Sequence, residues 1–301
     1  MDTKPYAAID ESSVLTVRAP SRQSVPVVFS SPHSGRDYPE AFVAASRLDA
    51  KTLRRSEDSF VDELYACVPE LGAPLISARF PRAYCDPNRE PYELDPVMFS
   101  GPLPRHANTR SPRVVAGLGT IARVVASGAE IYAGKLSVAE AEARIAQYYR
   151  PYHDRLGALV GETREKFGWS LLVDCHSMPS VGGPMDRDSG LSRVDVVLGD
   201  CFGASCDSIF TETAEAAFEE LGYRVVRNTP YAGGFTTRHY GDPGHGSHAL
   251  QIELNRALYM VESEHAHGPR FAQVQGDLRR VAAALCAAAA GFGAPAGFGV
   301  P

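Results

Sequence analysis

Short apolar runs alternate with helical stretches along this sequence, and that alternation constrains the fold more than any other feature. It favours an α/β fold with a mostly parallel sheet, because parallel neighbours need long crossover connections that are usually helical. Six runs are predicted as strands, at residues 25–29, 74–78, 171–174, 194–198, 223–227 and 249–254. The spacing of apolar residues predicts helices at about 56–68, 137–166 (with a break near Pro151), 211–221 and 270–290.

No internal repeat or linker divides residues 1–301, so we expect one domain with a core at about 25–290. Residues 291–301 are rich in glycine, proline and alanine and are expected to form a flexible tail. The net charge of −6 offers no basic field for nucleic acid or an anionic membrane. No run of about 18 apolar residues could span a bilayer, and the first residues lack a signal-peptide pattern. A cytoplasmic protein with reduced cysteines is therefore expected.

Two histidines each follow an apolar run, His33 in "VVFSSPHSG" and His176 in "LLVDCHSM". Because the carboxyl ends of parallel strands meet at one edge of a sheet, the two imidazoles are expected to lie near each other. Neutral imidazole is a common ligand of zinc and related ions. Each histidine could instead be a hydrogen-bonded structural residue near a turn, and the spacing alone leaves that alternative open.

The segment "RRSEDSFVDELY" offers an acid as a third ligand. Zinc hydrolases typically combine two imidazoles with one carboxylate and leave a fourth position for water. Asp58 precedes the apolar Phe60 and Val61 and could point inward, and Glu57 is the adjacent alternative. Acids in a first helical turn can also serve only to favour the helix dipole, so the spacing does not choose among these interpretations.

Glu253 is the candidate general base, in the segment "HALQIELNRALYM". Leu250, Ile252 and Leu254 alternate there with polar residues, which is the pattern of a strand. In a central strand both faces are buried, and burying a glutamate there costs free energy unless its carboxylate has a bonding partner or a catalytic role. An edge strand with one solvated face is the alternative.

Cationic side chains are concentrated in "SARFPRAYCDPNRE", which contains Arg82, Asn88 and Arg89. Guanidinium groups bind carboxylates bidentately, so this concentration of arginines predicts a small acidic ligand. Alternatively, the arginines could pair with neighbouring acids in a structural network. A second loop, "NTPYAGGFTTRHYG", places Thr237 and Arg238 after two glycines that allow close backbone approach. It resembles a clamp for a small ligand.

Other candidates carry less weight. Cys175 is expected to point away from His176, because successive side chains of a strand alternate. A histidine-rich loop has some potential to bind metal through His239, His245 and His248.

Six segments taken together, in order from about residue 25 to 260, resemble the N-formylglutamate amidohydrolase family. They are "SSPHSGRDYP", "EDSFVDELY", "ARFPRAYCDPNRE", "DCHSMPS", "NTPYAGGFTTRHYG" and "ALQIELNRALYM". The resemblance implies a three-layer α/β fold of the phosphorylase/hydrolase-like, zinc exopeptidase-like type, related to zinc carboxypeptidases and amino-acid deacylases. It also implies hydrolysis of N-formyl-L-glutamate to formate and L-glutamate in histidine breakdown.

The resemblance further implies roles for individual residues. It maps the binding of Zn²⁺, or of another divalent ion such as Co²⁺, onto three residues: His33, Asp58 and His176. Glu253 lies where the related carboxypeptidases keep their catalytic glutamate, and Asn88 and Arg89 where they keep a substrate-binding pair. Residues 98–135 and the C-terminal end match no motif, which leaves the exact acyl group and amino acid open.

We therefore hypothesise that Glu253 takes a proton from a metal-activated water molecule and transfers it to the leaving amine during hydrolysis. Arg82, Arg89 and Arg238 would bind the two carboxylates of the substrate, and Asp174 would orient a ligating imidazole. The alternatives are deacylation of another N-acyl acidic amino acid, carboxypeptidase-like cleavage, and metal-dependent binding of a small molecule without turnover.

Overall fold

The structure, a computed structural model, describes residues 11–184, 186 and 188–292. Nine strands are formed within those residues. They are β1 (Leu15–Arg18), β2 (Val27–Ser31), β3 (Leu75–Ala78), β4 (Ser170–Met178), β5 (Val196–Gly199), β6 (Val225–Arg227), β7 (Ser247–Asn255), β8 (Met260–Val261) and β9 (Ala266–His267). The first seven form one sheet in the order β1-β3-β2-β4-β7-β5-β6, and β8 and β9 form a separate antiparallel pair.

The sheet is mixed and mostly parallel, which confirms the predicted class. β2 pairs in parallel with β3 and β4, β4 with β7, and β5 with β6, while β1 and β5 run antiparallel to β3 and β7. All six predicted strands are present within a few residues of their predicted limits, and β1 was not expected. β7 lies between β4 and β5 and is buried on both faces, so the edge-strand alternative for the Glu253 segment is wrong.

Helices cover both faces of the sheet and complete the expected three layers. In the described part of the chain the α-helices are α1 (Glu11–Val14), α2 (Glu40–Ala45), α3 (Ala50–Leu53), α4 (Val61–Leu64), α5 (Pro112–Val115), α6 (Val138–Arg144), α7 (Arg150–Phe167), α8 (Ser208–Glu220), α9 (Phe235–Tyr240) and α10 (Phe271–Gly291). α8 and α10 pack on one face through Phe210 and Leu278, and α7 packs on the other through Tyr152 and Leu156.

The helix predicted at residues 56–68 is mostly absent. A 3₁₀ turn covers Arg54–Ser56, and Phe60 adopts a φ of 67°, so that α4 begins only at Val61. A left-handed residue interrupts a right-handed helix. Glu57 and Asp58 therefore precede the helix instead of occupying its first turn, and the helix-dipole interpretation of these acids is wrong.

Two other boundaries differ from the prediction. α6 and α7 are joined by a π-helical turn at Ile145–Tyr149, so the helix continues where a break near Pro151 was expected. α10 extends to Gly291, and the Phe292 ring packs 4.8 Å from that of Trp169. The first two residues of the predicted tail thus belong to the fold, and residues 293–301 lie outside the described residues.

Other expectations can be compared directly with the structure. All six cysteines are free thiols, as expected. Cys175 is buried in the apolar core on one face of the sheet, whereas His176 lines a cavity on the other side of β4. Among the described helices, none is long and apolar enough to cross a membrane.

Candidate metal centre and active site

Three neighbouring strands bring the candidate site together at the carboxyl edge of the sheet. β2 ends at Ser31, just before His33, and β4 and β7 are nine-residue strands that pair in parallel over their whole length. His176 and Glu253 are direct partners in that pairing. Because both strands are apolar enough to be buried on both faces, their register is fixed, and it sets the histidine beside the glutamate.

A buried histidine–aspartate–histidine cluster lies at this edge. His33, Asp58 and His176 each offer one ligand atom, and these atoms lie within 4.8 Å of one another. Asp58 Oδ2 lies 3.0 Å from His176 Nδ1 and 3.4 Å from His33 Nδ1. His33 Nδ1 is buried and makes no hydrogen bond within the described structure. A buried nitrogen with a free lone pair is costly unless it faces a ligand such as a metal ion.

A second carboxylate orients each imidazole, and it lies at the ring nitrogen that does not face Asp58. His33 Nε2 donates to Asp86 Oδ1 at 2.7 Å, and His176 Nε2 donates to Asp174 Oδ2 at 2.9 Å. Because each Nε2–H is directed at one of these acids, Nδ1 is the ring nitrogen of each histidine that faces Asp58 and that could ligate an ion. A carboxylate behind each ligating histidine is typical of zinc sites, so the donor set fits a divalent ion.

The charges around the cluster keep Asp58 ionised. Burial by itself raises the pKa of Asp58, but the neighbouring imidazoles of His176 and His33 and the charge of Arg256 hold it well below its usual range. Arg256 Nη2 donates to Asp58 Oδ1 at 2.9 Å. Burial likewise opposes a proton on His176, but Asp174 and Asp58 prevail and raise the pKa of His176 well above its ordinary value. An ion at this site therefore competes with a proton.

Glu57, the adjacent alternative to Asp58, is directed away from the histidines. Its carboxylate accepts hydrogen bonds from the Tyr38 hydroxyl at 2.7 Å, from Arg54 Nε at 3.1 Å and from the Ser59 hydroxyl at 2.9 Å. Asp58 is thus the acid that the structure brings to the two imidazoles.

Glu253 is buried beside the cluster. Gln251 Nε2 donates to Glu253 Oε1 at 2.9 Å, and the Thr237 hydroxyl donates to Gln251 Oε1 at 3.2 Å. Burial is the main cause that raises the pKa of Glu253 to about 7, with His176 lowering it and Asp58 raising it. A carboxyl group with a pKa near neutrality is suited to accept and release a proton.

A cavity of about 150 Å³ opens onto the cluster and Glu253. Asn88 lines it, with its Nδ2 3.2 Å from His176 Nε2 and its Oδ1 accepting from the Thr236 backbone N–H. A small cavity with cationic walls and a buried carboxyl group suits a small anionic ligand. Its guanidinium groups come from Arg82, Arg89, Arg113 and Arg256.

Two residues of the glycine-containing loop lie elsewhere than expected. Arg238 is exposed, is not among the cavity-lining residues, and donates from Nη1 to the Gly233 carbonyl at 2.7 Å. Thr237 is buried behind the cavity wall, against Gln251. α9 begins directly after Gly234, and this short helix turns Thr237 inward and Arg238 outward. Arg238 thus stabilises the loop instead of reaching the cavity.

The histidine-rich loop does not join the cluster that the structure describes. His248 is buried against the rings of Trp169 and Phe210, and exposed His245 pairs with Asp242. His239 is exposed and stacks on Phe235. These contacts are structural.

Three residues at the site were missed in the sequence. Arg256 lies three residues after Glu253 in the same quoted segment, and Gln251 lies two residues before Glu253 and therefore on the same strand face, so both had a signal. Arg113 comes from residues 98–135, where no motif is recognisable.

The fold and the site together define a class of protein. Two buried imidazoles and a carboxylate beside a buried glutamate, at the carboxyl edge of an α/β sheet, form a hydrolase-like arrangement that could hold a divalent ion beside a proton acceptor. Comparison with known proteins narrows the class. The family model of N-formylglutamate amidohydrolase matches residues 25–260, well over half of the chain. The chain belongs to the N-formylglutamate amidohydrolase family.

Individual relatives agree with this assignment. N-formylglutamate deformylases from Pseudomonas putida and Pseudomonas aeruginosa are each 32% identical, over 80% of this chain and 84% of theirs. The crystal structure of N-formylglutamate amidohydrolase from Ralstonia eutropha JMP134 is 35% identical, with a TM-score of 0.83, covering 92% of this chain and 97% of that one.

Proposed function

We propose that this protein is a metal-dependent amidohydrolase that cleaves N-formyl-L-glutamate into formate and L-glutamate. The named relatives support the substrate, since their names specify it. The observation that carries the proposal is the buried His33–Asp58–His176 cluster, which opens to the same small cationic cavity as Glu253.

His33 Nδ1, His176 Nδ1 and an oxygen of Asp58 would hold the ion, and the nitrogen and oxygen donors suit Zn²⁺. When bound, such an ion supplies Lewis acidity and lowers the pKa of water in the site. Asp86 and Asp174 keep the imidazoles in the tautomer that such binding needs.

Glu253 moves the proton in this proposal. Its carboxylate takes a proton from the water that attacks the formyl carbon and delivers it to the amide nitrogen, which leaves as the amine of L-glutamate. Gln251 fixes the glutamate by a hydrogen bond to one oxygen and leaves the other free for the proton. Arg82, Asn88 and Arg89 bind a carboxylate of the substrate.

Metal analysis followed by a substrate panel tests the proposal. The purified protein is expected to contain one divalent ion per chain, to lose activity with a chelator, and to prefer N-formyl-L-glutamate over its acetyl and succinyl analogues and short peptides. His33→Ala should lose metal and activity together, whereas His245→Ala, at an exposed histidine, should keep both. A metal-free protein with chelator-resistant activity overturns the metal dependence, and a preference for another acyl group or a peptide overturns the substrate.

A further inference from the structure

The cavity has an outer wall supplied by residues 98–135, the stretch without a recognisable motif. Arg113, Leu118 and Val125 from this stretch line the cavity beside the motif-borne Asn88 and Arg89. Arg113 lies on α5 and is exposed to solvent, so it stands at the open side of the cavity.

Hydrogen bonds fix this wall to the loop that carries Arg89. Arg89 Nε donates to the Leu118 carbonyl at 2.8 Å, and the Leu118 N–H donates to the Arg113 carbonyl at 2.8 Å. The Asp86 N–H donates to the Thr120 carbonyl at 2.7 Å. The backbone of Arg113 is therefore held close to Arg89 by the fold itself.

Within the described part of the chain, the Arg113 guanidinium has no ion-pair partner. Arg82 and Arg256 pair with Asp86 and Asp58, but the structure gives no hydrogen bond or ion pair to the Arg113 guanidinium among the residues it describes. Burial lowers the pKa of Arg89 to about 10, and the charges of Arg113 and Arg82 lower it in the same direction. Arg89 thus feels the charges of two other cations, and Arg113 has no ion-pair partner among the described residues.

We propose that Arg113 binds the side-chain carboxylate of the substrate and thereby selects an acidic amino acid over its neutral isostere. This inference rests on the proposed function, which requires a ligand with two carboxylates. Arg82 and Arg89, close to the cluster, take the inner carboxylate, and Arg113 is the cation that remains for the outer one. An unpartnered guanidinium binds a carboxylate at little cost, since no existing ion pair has to be broken.

Steady-state kinetics of the metal-loaded enzyme with N-formyl-L-glutamate and N-formyl-L-glutamine test the assignment. The two substrates have the same shape and differ in that a neutral amide replaces the side-chain carboxylate. Arg113→Gln is expected to lower the ratio of their kcat/KM values about 10- to 100-fold, the effect of losing one charged hydrogen-bonded contact, mainly through a higher KM for the glutamate substrate. Arg113→Lys keeps the positive charge and should therefore give a ratio between those of Arg113→Gln and the wild type. Arg110→Gln, an exposed change nearby in the same stretch, is the matched control and should leave the ratio as in the wild type.

A second measurement separates this inference from the proposed function. Calorimetric titration with L-glutamate and L-glutamine reports the same preference without turnover, and Arg113→Gln should abolish it. If the wild type hydrolyses neither N-formyl substrate, the proposed function fails, and the titration still decides the role of Arg113. An Arg113→Gln variant with unchanged preference in both assays, or a wild type that binds both amino acids equally, overturns the role of Arg113.

Discussion

Asp86 is the residue on which the orientation of His33 depends. Its Oδ1 accepts a hydrogen bond from His33 Nε2–H, and Arg82 Nη2 donates to its Oδ2 at 2.8 Å. Burial by itself raises the pKa of Asp86, but Arg82, Arg89 and His33 hold it well below its usual range. A permanently ionised acid behind the imidazole makes His33 Nδ1 a better electron donor.

Asp86→Asn is expected to weaken metal binding about 10- to 100-fold, because an amide no longer raises the basicity of the imidazole. Competition between the protein and a chelator of known affinity measures the change. Asp95→Asn is the matched control, since it removes an ion pair with Arg123 in a loop of the same region. Equal metal affinity in Asp86→Asn and the control would contradict the role given to Asp86.

Glu253→Gln removes the proton acceptor and retains the shape of the side chain. We expect it to lower kcat at least about 100-fold, the usual contribution of a general base, and to leave the bound metal in place. Parallel determinations of metal content and turnover check this. Gln251→Leu removes the hydrogen bond to Glu253 Oε1 and the acceptor of the Gly234 N–H and the Thr237 hydroxyl, but it keeps the carboxyl group of Glu253. It should therefore have a smaller effect, and the reverse order would place the proton transfer elsewhere.

At the scale of single residues, the sequence predicted the two histidines and the glutamate at the strand ends, and it missed Arg113, which packing brings to the cavity. His33, His176 and Glu253 each follow or lie in an apolar run, so their position at the sheet edge could be expected. Arg113 reaches the cavity only because its loop folds back onto Arg89, which no local pattern reveals.

At the scale of elements, the loop before α9 closes one side of the cavity by direct contact with Asn88. A Cβ atom on Gly234 would lie 2.3 Å from Asn88 Nδ2, far inside contact distance. Glycine is therefore required there for the backbone to pass the asparagine, whose amide in turn touches His176.

Gly234→Ala is expected to displace Asn88 and to lower kcat/KM about 100-fold, as a misplacement of about 1 Å in an active site can do. Gly161→Ala is the contrasting change, because a Cβ atom added at Gly161, which lies in α7, would contact no neighbouring atom. It should leave activity unchanged and raise the free energy of unfolding by about 0.5–1 kcal/mol. Kinetics and chemical denaturation of both variants test the pair, and full activity in Gly234→Ala would refute the crowding argument.

The elements could be predicted where hydrophobic burial decides them, and not where a tertiary contact does. Five of the six predicted strands carry apolar runs that are buried throughout in the sheet, and only the edge strand β6 is partly exposed. Residues 56–68 have helical spacing, yet the chain must place Asp58 against His33, and the Asp58 N–H donates to the His33 carbonyl at 3.0 Å. That contact and the left-handed Phe60 override the local preference for a helix.

At the scale of the whole molecule, His153 joins the helical layer to the loops around the cavity. From α7, its Nε2 donates to the Pro87 carbonyl at 2.7 Å, and its Nδ1 accepts from the Tyr240 hydroxyl at 3.0 Å. Burial lowers the pKa of His153 to about 4, although the bond to Pro87 opposes this. The folded protein therefore keeps His153 neutral.

This neutral histidine predicts an acid sensitivity. Between pH 6.5 and 4 the unfolded chain binds a proton at this position and the folded chain does not, so the contribution of His153 to stability is present above pH 6.5 and falls as the pH is lowered. The loss amounts to about 2 kcal/mol at pH 5. Denaturation of the wild type and of His153→Gln at pH 7.5 and pH 5 measures it. The stability difference between the two proteins should shift by this amount in favour of the variant, and a pH-independent difference would contradict the prediction.

The pairing of His176 with Glu253 across β4 and β7 has an evolutionary consequence. Neighbouring strands lie about 4.8 Å apart, so the distance between these two groups is a property of the sheet and not of any loop. An insertion or deletion in either strand would turn one of them to the opposite face, and selection for catalysis must remove such changes. The connection that carries Arg113 is not held in such a strand register. Its length and sequence can therefore change without moving His176 relative to Glu253.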